Sequence, residues 1–365
     1  MADFNFKKWN LILGWLAFLI AFITYSFTVE PTVSFWDAGE YILTSSKLQV
    51  GHPPGAPFFQ MMGAFFSIFA SEPSQIGLMI NMMSATASAF TILFMFWSIV
   101  LLIKQVVKNN NKSSKGQNTA ILGAAFVGSL SFAFTDSFWF NAVETEVYAM
   151  ATLIMAVLFY LGLRWGNDMF TPRGNKWLIL ISFVVGLSFG VHFMGLLTIP
   201  TISLIYFFKN YKTVTVKNFV LANLAGIAVL LFVFKLLAPN ILRYFSALEI
   251  FFVNSVGLPF NSGSIVAFIL LVGFIFWGLN YTRKKGYIHL NTGLLCITFI
   301  VIGFSSWLML PIRANANVTV NENNPSSARE LLAYYNLEQY PKTHLFYGPQ
   351  FTDQYAGLDE NQPYI

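Results

Sequence analysis

Long apolar stretches alternate with short polar segments along most of the chain. They lie at 11–28, 56–70, 77–103, 119–135, 147–163, 177–208, 218–237, 264–281 and 291–310. A helix needs about 20 apolar residues to cross a hydrocarbon core of about 30 Å. Because a helix also satisfies its own backbone groups in lipid, the pattern predicts an all-α polytopic membrane protein.

Basic residues in the connecting segments predict the orientation. The clusters are Lys7/Lys8, Lys104–Lys115, Arg164–Lys176, Lys209–Lys217 and Arg283–Lys285. Short segments rich in Lys and Arg stay cytoplasmic, so we expect all five clusters on one face. Of the 16 acidic residues, only Asp3 and Asp168 then fall on that face, so the acidic chemistry is expected on the outer face.

Two apolar stretches are assigned from this orientation. Only one crossing can separate the outer loop after 11–28 from the basic loop after 103, so the short stretch 56–70 is interpreted as an interfacial helix. The stretch 177–208 has basic clusters at both ends, and as one helix its 32 residues would measure about 48 Å. We therefore expect two spans there, and about nine transmembrane helices with the N-terminus inside.

Composition agrees with this interpretation. Charged residues make up 10% of the chain and hydrophobic residues 56%, with a mean hydropathy of +0.61, whereas a soluble domain carries about 25% charged residues. The net charge of +5 does not indicate nucleic-acid binding, because the basic residues are sorted by loop. Cys296 has no cysteine partner within the chain. Lys7 and Lys8 before the first apolar stretch, without a small-residue cleavage site, predict an uncleaved signal anchor.

The predicted organisation has two parts. Residues 1–310 form a transmembrane domain with outer loops at 29–76, 136–146 and 238–263, the last read as a helix lying along the membrane. Residues 311–365 are polar and rich in Asn and Tyr, and are expected to form a short extracytoplasmic segment packed on the membrane domain. Within it, "SSARELLAYYNLEQY" begins with a candidate Ser cap and predicts one amphipathic helix.

The first outer loop holds the leading candidates for chemistry. Asp37 and Glu40 are three residues apart, so on a helix they would face the same way, and His52 follows beside Pro53–Pro54. A carboxylate at a membrane edge can serve as a general base toward an acceptor hydroxyl. The alternative is a pair of solvated loop acids or a charge that starts a helix.

The second outer loop contains Glu144, Glu146 and Tyr148. In an extended chain the two carboxylates point the same way, and oxygen ligands suit Mg²⁺ or Mn²⁺. The loop could therefore bind a divalent metal or line the acceptor side of a site. Its aromatic residues are equally expected in an interfacial belt.

Three further residues are candidates for binding an anion or holding the structure. Arg313 follows the last apolar stretch on the outer side, where a guanidinium suits phosphate or snorkels to the headgroups. Arg243 lies in the loop 238–263. His192 stands at the expected break of 177–208, where a structural role is the simpler interpretation.

Four motifs carry a resemblance to a known family. They are "FWDAGEYILTSSKLQVGHPPGAPFF", "ETEVYAM", "GLSFGVHFMGLLTIP" and "IRANANVTVNENNPSSARELLAYYNLEQY". In this order they resemble a family of multi-span proteins, mostly bacterial, related to protein O-mannosyltransferases of the GT-C glycosyltransferase superfamily. In that superfamily an essential acid lies in the first outer loop, followed by interfacial helices. O-mannosyltransferases carry adjacent Asp and Glu there, whereas Ala38 and Gly39 separate Asp37 from Glu40.

The resemblance implies an inverting glycosyltransferase in a bacterial inner membrane, with its active site facing the periplasm. Its donor would be a polyprenyl-phosphate-linked sugar, mannose by analogy, and its acceptors Ser or Thr hydroxyls of exported proteins. Asp37 would be the general base, with Glu40 as the other candidate. Glu40 and His52 would orient the base or the sugar, and Arg313, helped by Arg243 or His192, would stabilise the leaving phosphate. A divalent metal at Glu144 and Glu146 remains open.

Two alternatives are kept. An enzyme of the same architecture could use a lipid or polysaccharide acceptor. A transporter or flippase of a lipid-linked sugar is the other, but a carrier places ionisable groups near the bilayer midplane and often contains repeats. Here the carboxylates cluster outside the apolar stretches, only Lys235 lies within one, and the sequence contains no visible repeat.

Overall fold

The computed structural model describes residues 4–107, 114–341 and 346. Across these residues the protein is helical, with one isolated bridge between Val50 and Asn321 in place of a sheet. Part of the basic cluster at 104–115 and most of the tail after 341 lie outside the described residues. The all-α prediction is confirmed.

Fifteen α-helices follow one another in the described ranges. They are α1 (Phe6–Thr28), α2 (Ala38–Ser46), α3 (Pro57–Ser67), α4 (Ile76–Val106), α5 (Lys115–Ala133), α6 (Asp136–Ala142), α7 (Val147–Asp168), α8 (Asn175–Ser188), α9 (Thr198–Asn210), α10 (Val216–Leu231), α11 (Ala238–Ile250), α12 (Ser262–Lys284), α13 (Ile288–Phe304), α14 (Met309–Ala314) and α15 (Ala328–Tyr335).

Seven helical segments are long and apolar enough to cross a membrane within the part of the chain that is described. They are Phe6–Thr28, Pro73–Val106, Val147–Asp168, Phe193–Asn210, Val216–Ser255, Ser262–Lys284 and Ile288–Ala314. Helices α5 and α6, bent by 69°, make an eighth if they count as one span. The shorter apolar helix α8 accounts for the difference from the nine spans expected. The protein is thus an integral membrane protein with several spans.

The stretch 56–70 contains the expected short helix, and the stretch 177–208 contains the expected break. Helix α3 has 11 residues and is too short to cross a bilayer as one helix. The stretch 177–208 breaks after Ser188, and the chain resumes as a helical segment at Phe193. At the break the carbonyl of Gly190 accepts the backbone N–H groups of Phe58 and Phe59 at 2.7 and 3.0 Å. The break thus supplies acceptors to the N-terminus of α3, whose first N–H groups have no partner within the helix.

The helix read in 238–263 is present and continues the helix before it. A continuous helical segment of 40 residues runs from Val216 to Ser255, about 60 Å long, so only 256–261 remains non-helical. Two π-helical turns, Phe232–Leu237 and Phe251–Ser255, lie within it. Pro239 falls in the first turn of α11, directly after the first π-helical turn, where its missing N–H is tolerated. Because of that position, the proline does not end the helix.

Close backbone contact holds α8 against α13. A Cβ atom on Gly186 would lie 2.2 Å from the Ile300 carbonyl oxygen, and one on Gly303 would lie 2.3 Å from the Phe183 carbonyl oxygen. Small residues allow helices in a membrane to approach this closely. This contact lies near the C-terminal end of α13, from which the chain continues through α14 into the C-terminal segment.

A buried carboxylate joins the long helical segment to α12. Glu249 is 4% exposed, and it accepts hydrogen bonds from the backbone N–H groups of Asn261 at 2.5 Å and Ser264 at 2.7 Å and from the Ser264 hydroxyl at 2.9 Å. A carboxylate there caps the helix N-terminus and complements its dipole. Glu249 thereby fixes α11 to α12.

Replacing Glu249 with Gln is expected to destabilise the protein by about 2 kcal/mol, because the negative charge is lost and one acceptor oxygen becomes an NH2 group facing a donor in a buried site. Thermal unfolding in detergent would measure the loss. Glu330→Gln, at an exposed position of α15, is the matched control and is expected to leave the midpoint unchanged. Equal midpoints for both variants would contradict the capping role.

Candidate active site

Asp37, Glu40 and His52 come together at the start of α2. Asp37 precedes the helix and Glu40 lies in its first turn. The chain then returns so that His52 Nδ1 lies 2.9 Å from Glu40 Oε2 and the His52 backbone N–H donates to Glu40 Oε1 at 2.6 Å. His52 Nε2 lies 3.9 Å from Asp37 Oδ2. One imidazole therefore stands between the two predicted acids.

The two acids differ in environment. The hydrogen bond from His52 lowers the pKa of Glu40, and the same bond to Glu40 raises the pKa of His52. The hydrogen bond therefore favours the charged form of both groups, as an ion pair. The Asp37 side chain is 58% exposed, against 27% for each member of the pair. Asp37 is thus the carboxylate that an incoming molecule can reach.

The ion pair gives a pH dependence of stability. The folded-state pKa of Glu40 is lowered, so its contribution is complete above its ordinary 4.5 and is lost as pH falls through the folded value. The folded-state pKa of His52 is raised, so its contribution is complete below its ordinary 6.5 and is lost as pH rises through the folded value. The full contribution is present between these two ordinary values.

His52→Gln is expected to lower stability on the order of 1 kcal/mol in that window, after solvent screening, and by less on either side of it. Thermal unfolding of both proteins across pH in detergent is the measurement. His289→Gln, at an exposed position, is the control. A difference from wild type that does not vary with pH would mean that the pair contributes no charge interaction.

The second outer loop supports the first. Glu146 is 6% exposed, and its Oε1 accepts the backbone N–H of Asp37 at 3.2 Å. Burial, followed by the charge of Asp37, raises the pKa of Glu146 to about 7. Glu144 is 4% exposed; burial raises its pKa, opposed by a hydrogen bond with Ser34. Glu146 is thus engaged with the loop that carries Asp37.

Glu144 and Glu146 do not assemble a metal site with further side chains in the described part of the chain. Among the described residues, no group of three or more His, Cys, Asp and Glu side chains could hold an ion. Glu146 uses one oxygen on the N–H of Asp37.

Asn81 of α4 ties the two outer loops together. Its Nδ2 donates to the carbonyls of Glu30 at 2.7 Å and Thr32 at 3.1 Å, and its Oδ1 accepts the Thr145 hydroxyl. The Glu30 backbone N–H also donates to the Val143 carbonyl at 2.9 Å. The sequence signal for this role is a polar residue, Asn81, inside the long apolar stretch 77–103.

Arg313 acts on the backbone beside the acids. Its Nε donates to the Leu48 carbonyl at 2.5 Å and its Nη2 to the Lys47 carbonyl at 3.0 Å. These two carbonyls follow the end of α2. The predicted contact with phosphate would therefore depend on the other terminal nitrogen.

Arg243 lies apart from this arrangement. It is exposed on α11 and bonds to Asn240 Oδ1 at 3.2 Å, one turn earlier on the same helix. In the described part of the chain, no hydrogen bond or ion pair joins it to Asp37, Glu40 or His52. The structure therefore does not bring it to the acidic group.

His192 and Tyr148 form a further wall of the site. Their ring centroids are 5.5 Å apart, and Tyr148 lies two residues after Glu146. His192 Nδ1 accepts the Met194 backbone N–H at 3.1 Å, so the proton of the neutral ring is on Nε2. Burial lowers the pKa of His192, which favours this neutral form.

Glu322 is a site residue that the sequence did not indicate. Its backbone N–H donates to the Val50 carbonyl at 3.0 Å. Burial, followed by the charge of Glu40, raises its pKa, and His52 opposes this rise. More than 260 residues separate Glu322 from His52, and only the fold brings them together.

Two apolar cavities lie away from the acids. The first, of about 630 Å³, lies between the α9–α10 pair and the α8–α13 pair, with α7 contributing Trp165. The second, of about 610 Å³, lies between α11 and α12 and shares Phe232 with the first. Their linings are almost wholly apolar, so they suit hydrocarbon chains.

The site therefore consists of acids and a histidine on loops between the helices of a polytopic helical membrane protein. Residues 37–215 match a family model described as the protein O-mannosyl-transferase TMEM260 N-terminal domain. The protein O-mannosyl-transferase tmem260 of Dictyostelium discoideum is 25% identical over 254 residues, which cover 65% of this chain and 29% of that protein. The chain is therefore related to protein O-mannosyltransferases. No solved structure matches it significantly.

The match separates the candidate residues into two groups. Its range begins at Asp37 and includes Glu40, His52, the second outer loop and His192. Arg243, Arg313 and Glu322 lie beyond it. The matched part of the chain spans less than a third of the length of the curated relative.

Proposed function

We propose that the protein is an inverting glycosyltransferase of the GT-C type. It transfers a sugar, most simply mannose, from a polyprenyl-phosphate donor to Ser or Thr hydroxyls of exported proteins. The reaction takes place on the extracytoplasmic face, which is the periplasmic face of a bacterial inner membrane. The observation that carries the proposal is the accessible Asp37 beside the Glu40–His52 pair, at the start of the matched range.

Asp37 is assigned as the general base in this reaction. The acceptor hydroxyl oxygen forms a bond to the anomeric carbon, and its proton passes to the Asp37 carboxylate. The bond from that carbon to the phosphate oxygen breaks, and the electron pair leaves with the polyprenyl phosphate. Attack opposite the leaving group inverts the configuration at the carbon.

The neighbours of Asp37 have separate roles. Glu40 holds His52, whose imidazole faces the space beside Asp37. Glu146 fixes the backbone of Asp37. Because its pKa is raised to about 7, Glu146 is protonated in a large fraction of molecules at neutral pH. It therefore limits the repulsion that a second full charge would impose on Asp37.

Sugar transfer by protein in lipid nanodiscs tests the assignment of the base. With polyprenyl-phosphate mannose and peptides of exported proteins, Asp37→Asn is expected to lower the rate by about 10²–10⁴-fold, the contribution of a positioned base. Glu40→Gln is expected to weaken transfer less, because it acts through His52. Glu72→Gln, an exposed acid of the same outer loop, is the matched control.

The outcomes separate the alternatives. The reverse order of the two variants would move the base to Glu40. Sugar found on a lipid or a polysaccharide, and not on peptide, would change the acceptor. If the folded protein transferred no sugar to any acceptor but moved the lipid-linked donor between leaflets, the transporter would replace the enzyme.

The polyprenyl tail of the donor is assigned to the first apolar cavity. Its volume of about 630 Å³ and its lining from five helices suit a hydrocarbon chain. The lining continues through Phe232 and Val233, next to Phe234, whose ring packs against Phe193 at 5.0 Å. Phe193 directly follows His192, so in this proposal the phosphate end of the donor lies on the His192 side of the cavity.

Ala225→Trp places a large ring in this cavity, because Ala225 lines it. We expect the KM for a long-chain polyprenyl donor to rise by about tenfold or more, the effect of about 1.4 kcal/mol. A donor with a short alkyl chain should be affected little. Leu224→Trp, one residue earlier, exposed and not in the lining, is the control. Equal KM values for all three proteins would place the tail elsewhere.

A further inference from the structure

The C-terminal segment 318–335 crosses the loop that carries His52. The Val50 backbone N–H donates to the Val320 carbonyl and the Glu322 N–H donates to the Val50 carbonyl, both at 3.0 Å. These bonds flank the bridge between Val50 and Asn321. Because His52 is two residues after Val50, this register brings Glu322 to the loop beside His52.

Buried hydrogen bonds fix the segment at both ends of the crossing. The Val320 backbone N–H donates to Gln49 Oε1 at 2.7 Å, and the Tyr334 hydroxyl donates to the Gly51 carbonyl. Gln49 is 4% exposed and Tyr334 1%. The position of Glu322 is therefore determined by the fold and not by a free loop.

Three carboxylates act on the charge of His52. Glu40 bonds to its ring, Asp37 Oδ2 lies 3.9 Å from its Nε2, and Glu322 belongs to the C-terminal segment that bonds to the Val50 backbone. In this order they raise the pKa of His52, and burial opposes them. The other titratable groups facing this space are the phenols of Tyr41 on α2, whose ring centroid is 5.8 Å from that of His52, and Tyr334 on α15. Burial raises the pKa of both phenols, so they are neutral.

The charge of His52 decides what its free nitrogen can do. Nδ1 carries a proton in either state, because it faces the Glu40 carboxylate. In the neutral ring Nε2 is therefore an acceptor, and only the imidazolium donates from Nε2. A donor at this nitrogen would hydrogen-bond to a phosphate or sugar oxygen beside Asp37, whereas an acceptor would repel the phosphate.

We propose that Glu322 is a positioning residue that keeps His52 in its imidazolium form, so that Nε2 donates to an oxygen of the sugar phosphate. The hydrogen bond to the sugar phosphate rests on the proposed function, whereas the charge of His52 can be measured without it. Glu322 lies outside the matched range 37–215, so the C-terminal segment would complete a site that the matched domain begins.

Glu322→Gln tests this role through the titration of His52. The full chain in lipid nanodiscs, labelled with ¹³C and ¹⁵N in histidine, contains four histidines, and the His52 signal is the one missing in His52→Gln. We expect its midpoint to fall by about 0.5–1 pH unit, because one nearby negative charge is removed. The alkaline limb of the pH profile of sugar transfer should move by the same amount.

Three further variants complete the experiment. Glu322→Asp keeps the charge and is expected to restore most of the midpoint. Glu330→Gln removes a charge from an exposed position of the same segment, and should leave the midpoint as in wild type. Glu322→Ala repeats the charge removal if the Gln variant does not fold.

An unchanged His52 midpoint in a folded variant without the Glu322 carboxylate overturns the proposal, even if activity falls. A His52 midpoint that is lowered in Glu322→Gln and restored in Glu322→Asp supports the proposal. Because the titration needs no turnover, failure of the proposed sugar transfer would be seen separately, in the assay of wild-type protein.

Discussion

The hydrogen-bonded pair of Glu40 and His52 is the interaction on which the site depends. The chain leaves α2 at Ser46 and must return to begin α3 at Pro57, and backbone groups exposed in this turn need partners. Glu40 accepts both the backbone and the ring of His52, which closes the turn onto its own helix. Arg313 and Tyr334 then donate hydrogen bonds to two carbonyls of this turn, those of Leu48 and Gly51 respectively. Asp37 remains as the exposed acid of a rigid loop.

Several carboxyl groups in one small region would repel one another if all were ionised and solvated alike. Their environments differ instead. Glu40 has a lowered pKa because of its ion pair, whereas burial raises the pKa of Glu146 and of Glu322. Such separation of pKa values is typical of sites that move protons. In the proposed reaction Asp37 accepts the proton while these neighbours hold its loop in position.

The elements that the sequence could predict are those with local signals. Apolar length and loop charge were enough to find the short helix at 56–70 and the break in 177–208, and the three-residue spacing placed Asp37 and Glu40 together. The helix read in 238–263 is present, but it continues the preceding helix through a π-helical turn, and that turn carries no clear sequence pattern. The apolar pattern alone could not show that the two helices are continuous.

Contacts between residues far apart in the chain could not be predicted from the sequence, for a different reason. Arg313 stands at a predicted membrane edge, where phosphate and headgroups are the expected partners, yet its donors bind carbonyls 265 and 266 residues away in the chain. Glu322 lies in a polar stretch of asparagines, where an acid is ordinarily solvated. Neither position has a periodic pattern, and only tertiary packing selects its partner.

The geometry also bears on which part of the chain is needed for activity. The matched range 37–215 contains Asp37, the Glu40–His52 pair and the α7–α9 side of the first cavity. The other side of that cavity comes from α10 and α13, and the turn beside the acids is held by Arg313 and Tyr334. All of these lie after residue 215. A matched domain expressed alone would therefore have the acids without the bonds that fix their loop, and one wall of the cavity without the other.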